Sequence, residues 1–257
     1  MKDKKRILGI IAIAAMIGFA FVSCDEGGSD SGGSNNGGNG NGGGSVSGME
    51  TLNLSGQVYL EDFDGVINTY TSYTGSDLEI DDSLYAGGSG SIINGNLNYS
   101  VEVPRNLKAM GQEFFETLFN GYTIAVSRQD VEGYIILHLF AGNGVWLQKI
   151  YRTGYISGNS FDSSYERVDY IYVDKDVTIT GTGGTVNKSE TENEVVYNET
   201  YISNSFSIML KTGWNAVYEK SIQTGTFEGS IENLTSVTAV ETTTISLGNP
   251  SLRWVLR

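Results

Sequence analysis

Hydrophobic and polar residues alternate along most of the chain after residue 50, which is the period of a β-strand with one buried face. Leu52 and Leu54 begin this alternation, and Val58 and Leu60 continue it. About fourteen such segments follow one another, and residues 134–140 are apolar on both faces, as in a central strand covered on each side. The pattern therefore predicts a mainly β protein.

Two short motifs place particular strands. Asn94-Gly95 stands between two alternating segments and is typical of a tight hairpin turn. Near the carboxyl end, Leu252, Trp254 and Leu256 share one face of an extended segment and predict a last strand that is tied into a sheet.

One segment has a helical period instead. Between residues 106 and 120 the apolar residues recur every three or four positions, which predicts a single amphipathic helix. These residues are Leu107, Met110, Phe114, Phe115, Leu118 and Phe119. We expect this helix to cover one face of a sheet or to close its open end.

The number of strands is too large for one seven-stranded sandwich. We therefore expect one or two antiparallel β-sandwich or barrel-like modules. Residues 51–156 form the first, with the helix, and residues 157–257 form the second, after a cluster of Gly, Asn and Ser near residues 157–164. The alternative is that residues 157–257 continue one large β domain.

The first 24 residues have the layout of a secretory signal. Four basic residues occur in the first six: Lys2, Lys4, Lys5 and Arg6. An apolar run over residues 7–22 follows, and its 16 residues fall short of the roughly 20 that a membrane-spanning helix needs. The run ends at Ser23-Cys24, and Cys24 is the only cysteine of the chain.

This segment resembles the signal peptides of bacterial lipoproteins, which are cleaved before a cysteine that then carries acyl chains. The resemblance covers residues 1–25 and implies a signal peptide over residues 1–23 and a lipidated, palmitate-bearing Cys24 that attaches the protein to a membrane. Phe21 and Val22 depart from the usual Leu and small residue at these positions. Residues 24–50 then form a Gly/Ser/Asn-rich flexible tether, with 11 glycines between residues 27 and 48.

Charge and composition exclude several classes of function. The chain has 30 acidic and 16 basic residues and a formal net charge of −14, which disfavours nucleic acid as a partner because phosphate binding needs basic patches. His138 is the only histidine, so a metal site with several histidine ligands is excluded. We expect no cofactor.

Acidic and aromatic residues supply the remaining candidate sites. Asp62 and Asp64 precede Gly65 and are candidates for Ca²⁺ ligands, although Asp and Gly are also common in turns. Five aromatic residues that are close in sequence are candidates for a surface that stacks on sugars or binds a protein: Trp146, Tyr151, Tyr155, Tyr170 and Tyr172. Tyrosine is also common in strands, so packing within the sheet is the alternative.

The sequence as a whole predicts a lipid-anchored protein of the bacterial cell envelope, at the outer membrane or cell surface in preference to the inner membrane. We expect a non-catalytic binding, adhesion or structural module, with a protein or glycan as partner. One alternative is a carbohydrate-active enzyme that uses paired Asp and Glu residues. Another is a β-barrel carrier of a small apolar ligand, which requires a cavity beneath the helix.

Overall fold

The structure confirms a mainly β protein with one helix. It is a computed structural model, and it describes residues 47–49, 51–61, 67–69, 79–80, 87–137, 139–140, 146–230 and 233–256. The predicted signal peptide, Cys24 and most of the tether lie outside these residues.

The described residues form the following elements in chain order. The first ten strands and the helix are β1 (Ser47–Met49), β2 (Leu52–Glu61), β3 (Ile67–Thr69), β4 (Glu79–Ile80), β5 (Gly88–Ile93), β6 (Asn96–Val101), β7 (Lys108–Ala109), α1 (Gln112–Leu118), β8 (Thr123–Val126), β9 (Glu132–Ile136) and β10 (Leu139–Phe140). The later strands are β11 (Trp146–Ser157), β12 (Ser160–Val173), β13 (Val177–Thr182), β14 (Thr185–Glu192), β15 (Val195–Ser203), β16 (Phe206–Leu210), β17 (Gly213–Ser230), β18 (Asn233–Leu247) and β19 (Arg253–Leu256).

Most of these strands belong to one large sheet with the order β14-β15-β18-β17-β12-β11-β19-β2-β6-β5. A smaller sheet has the order β16-β13-β8. Most pairs are antiparallel, as predicted, but β15 with β18 and β19 with β2 are parallel. In each parallel pair, other strands separate the two partners along the chain, so neither pair is a simple hairpin.

The central strands of the large sheet are covered on both faces. Along β12, Val168 and Tyr170 point to one apolar cluster, and Ile171 and Val173 point to another. The first cluster, which we call core one, lies between β12 and β17 on one side and β2, β5 and β6 on the other. Core two lies beneath α1 and the smaller sheet, and a third cluster near Phe161 and Phe227 covers the far end of the long strands.

The Asn94-Gly95 turn is confirmed. It connects β5 to β6 with Ile93 opposite Asn96, and both turn residues have positive φ, 50° and 74°. Positive φ at both central positions is the geometry of a type I′ hairpin turn, which asparagine and glycine adopt most readily. The last strand is also confirmed, since Trp254 and Leu256 are buried in core one.

The helix is shorter than predicted. It begins at Gln112, because Lys108 and Ala109 instead form β7 and pair with β9, so the predicted start at residue 106 is wrong. Its apolar side is as predicted: Phe115 is fully buried and stacks on Phe119 in core two. This helix is too short and too polar to cross a bilayer, and the described residues contain no other candidate.

The large sheet is continuous across residues 156 and 157, where the sequence suggests a change of module. β11 and β12 form a hairpin over this position, with Ile156 opposite Phe161. β9 pairs with the end of β12, and its residues are covered on both faces, Tyr134 and Ile136 in core one and Ile135 in core two. The strands before and after residue 157 are therefore interleaved in one sheet.

Asn215 on β17 is a buried polar side chain that makes several hydrogen bonds. It has no solvent exposure, and its amide Nδ2 donates to the carbonyl oxygens of Lys211 (2.7 Å), Gly213 (2.8 Å) and Ile171 (3.4 Å). Its Oδ1 accepts a hydrogen bond from the backbone N–H of Lys211 at 2.9 Å. One buried amide thus provides hydrogen-bond partners for the backbone groups of the turn that leads into β17.

Candidate functional site

The candidate site lies in a fork between β2 and the segment that leads into β19. β2 pairs with β19 only through residues 58–60, whereas residues 52–57 pair with β6. Gly56 has φ of 145°, a conformation that L side chains rarely adopt, and it lies next to the residue at which β2 changes partner. The two arms of the fork enclose a cavity of about 240 Å³.

Two stacked aromatic rings form the buried base of this fork cavity. The rings of Tyr170 and Trp254 are nearly parallel, with centroids 6.4 Å apart, and both side chains are buried. The indole Nε1 of Trp254 donates to the backbone carbonyl of Ser55 at 3.1 Å, which ties the two arms of the fork together. Ser55 and Ser251 line the cavity from exposed positions, so it opens to solvent.

Lys149 projects into the cavity from β11, opposite Trp254 in the strand pairing. Its Nζ donates to Oδ1 of Asn249 at 2.5 Å, and the hydroxyl of Tyr170 donates to the same oxygen at 3.1 Å. Partial burial lowers the pKa of Lys149 to about 8, because removal from water disfavours the ammonium form. Burial, reinforced by the charge of Asp169, raises the pKa of Tyr170, so its hydroxyl remains a donor at neutral pH.

The charge of the cavity is positive. Lys149 and Arg253 line it, and no Asp or Glu is among the described residues that do so. The guanidinium of Arg253 lies 4.8 Å from the centre of the Tyr59 ring, a cation–π contact. Uncharged amides and hydroxyls supply the remaining polar groups. Such a lining donates and accepts hydrogen bonds and carries positive charge.

A second polar cluster lies on the opposite face of the large sheet. Arg167 on β12 contacts Asp169 (Nε to Oδ2, 3.3 Å) and hydrogen-bonds Glu219 on β17 (Nη2 to Oε2, 2.9 Å). Asp169 is 5% exposed, and its Oδ1 has no hydrogen-bond partner among the described residues. The two carboxylates are thus held by a guanidinium between them rather than facing each other across an open cleft. Burial outweighs Arg167 and raises the pKa of Asp169 to about 6.

Asp169→Asn is expected to remove a pH dependence of stability. A carboxyl whose pKa rises from 3.8 to about 6 on folding binds its proton more tightly in the folded state, so stability falls as pH rises between about 4 and 6. The variant should lose this slope, which is at most about 1.4 kcal/mol per pH unit for one group. Urea unfolding at pH 4, 5, 6 and 7 measures it.

The control for this experiment is Asp176→Asn. Asp176 is exposed, and hydrogen bonds from Lys211 and Thr212 lower its pKa to about 2, so its titration lies below the tested range. Equal slopes for wild type and Asp169→Asn between pH 4 and 6 would show that Asp169 titrates normally.

The structure separates the aromatic candidates instead of bringing them into one surface. Tyr170 forms the base of the fork cavity, and Tyr172 contacts Trp214 edge to face in core one, with ring centroids 5.5 Å apart. Tyr151 is half-buried, and Tyr155 is 62% exposed towards the other end of β11. The side chain of Trp146 lies outside the described part of the structure.

The calcium candidates Asp62 and Asp64 also lie outside the described residues, as does His138. Within the residues that the structure describes, no group of three or more His, Cys, Asp or Glu side chains is arranged to hold a metal ion. The apolar carrier alternative requires a cavity beneath the helix, and the side of the helix that carries Phe115 and Phe119 packs in core two.

Sequence reasoning missed Lys149 and Asn249. A signal for Lys149 is present, because it lies between Leu147 and Tyr151 on one face of an alternating segment, where a lysine interrupts the apolar side of a strand. Asn249 precedes Pro250 and therefore has the sequence signature of a turn. Comparison of the chain with protein-family models, with curated proteins and with solved structures found no significant match.

Proposed function

We propose that this protein is a lipid-anchored, non-catalytic binding module of the bacterial cell envelope, and that the fork cavity is its ligand site. The observation that carries the proposal is the cavity itself. It combines a buried aromatic base, an opening to solvent and polar groups held in place by hydrogen bonds, as ligand sites commonly do.

The chemistry of the cavity favours binding over hydrolysis. Glycoside hydrolysis in most enzymes uses two carboxyl groups on either side of the reacting bond. The described lining of the cavity offers amides, hydroxyls and two cations but no carboxyl group. The Asp169 and Glu219 carboxylates lie on the opposite face of the sheet and are both in contact with Arg167. The binding role is therefore the better supported of the two.

The fork cavity as a ligand site is tested by a binding screen with a blocked variant. Ser251→Trp places a large ring at an exposed position of the lining, and Thr238→Trp places the same ring at an exposed position of β18 away from the cavity. We expect ligand-observed NMR with a panel of neutral sugars, sugar acids, organic acids and amino acids to find a ligand of wild type. Ser251→Trp should weaken its binding at least about tenfold, which corresponds to about 1.4 kcal/mol.

Thr238→Trp should leave the affinity unchanged. The proposal fails if no compound of the panel binds wild type. It fails equally if binding is the same in Ser251→Trp, because the ligand site would then lie elsewhere.

A further inference from the structure

Lys149 differs from other lysines of the protein in its partner. Lys175, Lys211 and Lys220 each have Nζ between 2.8 and 3.0 Å from a carboxylate oxygen. The Nζ of Lys149 instead meets the neutral amide oxygen of Asn249, and no Asp or Glu of the described chain forms an ion pair with it. A partly buried ammonium without a counter-charge is unfavourable, and its low pKa reflects that cost.

The geometry leaves part of this ammonium group for a ligand. A lysine has three N–H donors, and among the described residues only Asn249 accepts one of them. Asn249 is itself held by Tyr170, so Lys149 is fixed at the wall of the cavity before any ligand arrives. Fixing a charged group in advance lowers the entropy cost of binding.

The rest of the lining limits the size and polarity of the ligand. About 240 Å³ is below the range of roughly 300 to 1,000 Å³ typical of sites for drug-sized molecules, so a molecule with a single ring is the appropriate size. Asn53, Gln57 and Ser251 supply amides and a hydroxyl around the opening. These groups bind hydroxyl groups well, because each both donates and accepts hydrogen bonds.

The charge of the cavity is also opposite to that of the chain. The protein has 30 acidic and 16 basic residues, yet the described lining has two cations and no acid. A positive site within an acidic surface attracts an anion only at short range, because salt screens exposed charges beyond about 10 Å. The positive charge therefore does not draw ligands from a distance; it favours an anionic group on a ligand whose size and shape match the cavity.

From this geometry we infer that the fork cavity binds a small hydroxylated anion, such as a sugar acid or a sugar phosphate, and that Lys149 holds its anionic group. This inference rests on the proposed function, since it names the ligand class of the same site. The shared chemistry is an anionic oxygen group on a ring that carries hydroxyls. The ligand supplies the counter-charge that Lys149 lacks.

The test uses three probes that share one ring. D-glucuronate carries a carboxylate, glucose 6-phosphate carries a phosphate, and D-glucose is neutral. We expect isothermal titration calorimetry at pH 7 to give at least tenfold tighter binding of one anion than of D-glucose. Lys149→Met should remove this preference, whereas Lys175→Met, at a lysine paired with Asp130 away from the cavity, should keep it. The anion that binds more tightly shows whether the site takes a carboxylate or a phosphate.

The pH dependence of binding separates a charge role from a structural role of Lys149. Affinity for the anion should fall by up to tenfold per pH unit above about pH 8, as the free amine forms. Lys149→Arg should bind the anion without this fall, because a guanidinium keeps its charge. Among the described residues, the other ionisable side chains that line the cavity are Tyr170 on β12, Tyr59 on β2 and Arg253 on β19.

The outcomes of this test are distinct from those of the binding screen. Equal affinity for D-glucose and the two anions overturns the anion inference but leaves the cavity as a ligand site. The inference is also overturned if neither anion binds while another compound of the panel does. If no compound binds wild type, the proposed function itself fails.

Discussion

Asn215→Asp is expected to destabilise the protein by about 3 to 5 kcal/mol at neutral pH, the cost of leaving a buried charge without a partner. The two side chains have almost the same shape, so the substitution changes only the charge and the hydrogen-bonding capacity of the side chain. Nδ2 of Asn215 donates to three carbonyl oxygens at 2.7 to 3.4 Å. An aspartate oxygen at that place would face the same three oxygens with a negative charge and no proton to donate.

The loss should depend on pH in a definite direction. Burial among carbonyl oxygens raises the pKa of the new carboxyl, so the variant binds its proton more tightly when folded. Its stability therefore falls as pH rises above the ordinary range for aspartate. Urea unfolding at pH 5 and pH 8 measures both the loss and its trend.

Asn233→Asp provides the matched control for this change. Asn233 is exposed at the start of β18, so the same substitution there should change stability by no more than about 0.5 kcal/mol. Equal stabilities for the two variants would mean that Asn215 does not make the hydrogen bonds described.

Cys24→Ala is expected to abolish acylation of the protein. Acyl chains of a lipoprotein require the sulfur of this cysteine, and each buried methylene group contributes about 0.8 kcal/mol to membrane binding. Metabolic labelling with a palmitate analogue should label wild type and not the variant. The control is Ser29→Ala, in the predicted tether, which should retain the label.

Protease treatment of intact cells then tests the expected location. If the protease removes the folded region of wild type, that region lies on the cell surface, in agreement with the prediction. If the folded region is protected from the protease, it lies on the periplasmic side of the outer membrane. A label that survives in Cys24→Ala, or that never appears in wild type, would contradict the lipoprotein hypothesis.

Local patterns predicted the parts of the fold that depend on local chemistry. The Asn94-Gly95 turn formed as expected because its geometry is set by two residues. The buried side of the helix was also correct, since Phe115 and Phe119 follow its period. The start of the helix was wrong because Lys108 and Ala109 found strand partners in β9, and no periodicity within residues 106–120 reveals that pairing.

The site depends on contacts that no local pattern encodes. Ser55 and Trp254 meet across 199 residues, and the fork exists only because β19 pairs in parallel with β2. Aromatic content drew attention to five residues, of which the structure places Tyr170 in the cavity. Lys149 acquires its special character from burial and from a neutral partner, and both arise only when β11 and the segment around Asn249 come together.

The position of β19 in the large sheet has a consequence for the order of folding. This strand is the last in the described chain, yet it lies between β11 and β2 in the large sheet. Until β19 has been synthesised, β11 and β2 have no strand to connect them. Sheets that join distant parts of a chain fold slowly, because loop closure must precede the contacts that stabilise it. β19 can therefore join β11 to β2 only after all the preceding strands have been synthesised, so the complete large sheet forms late.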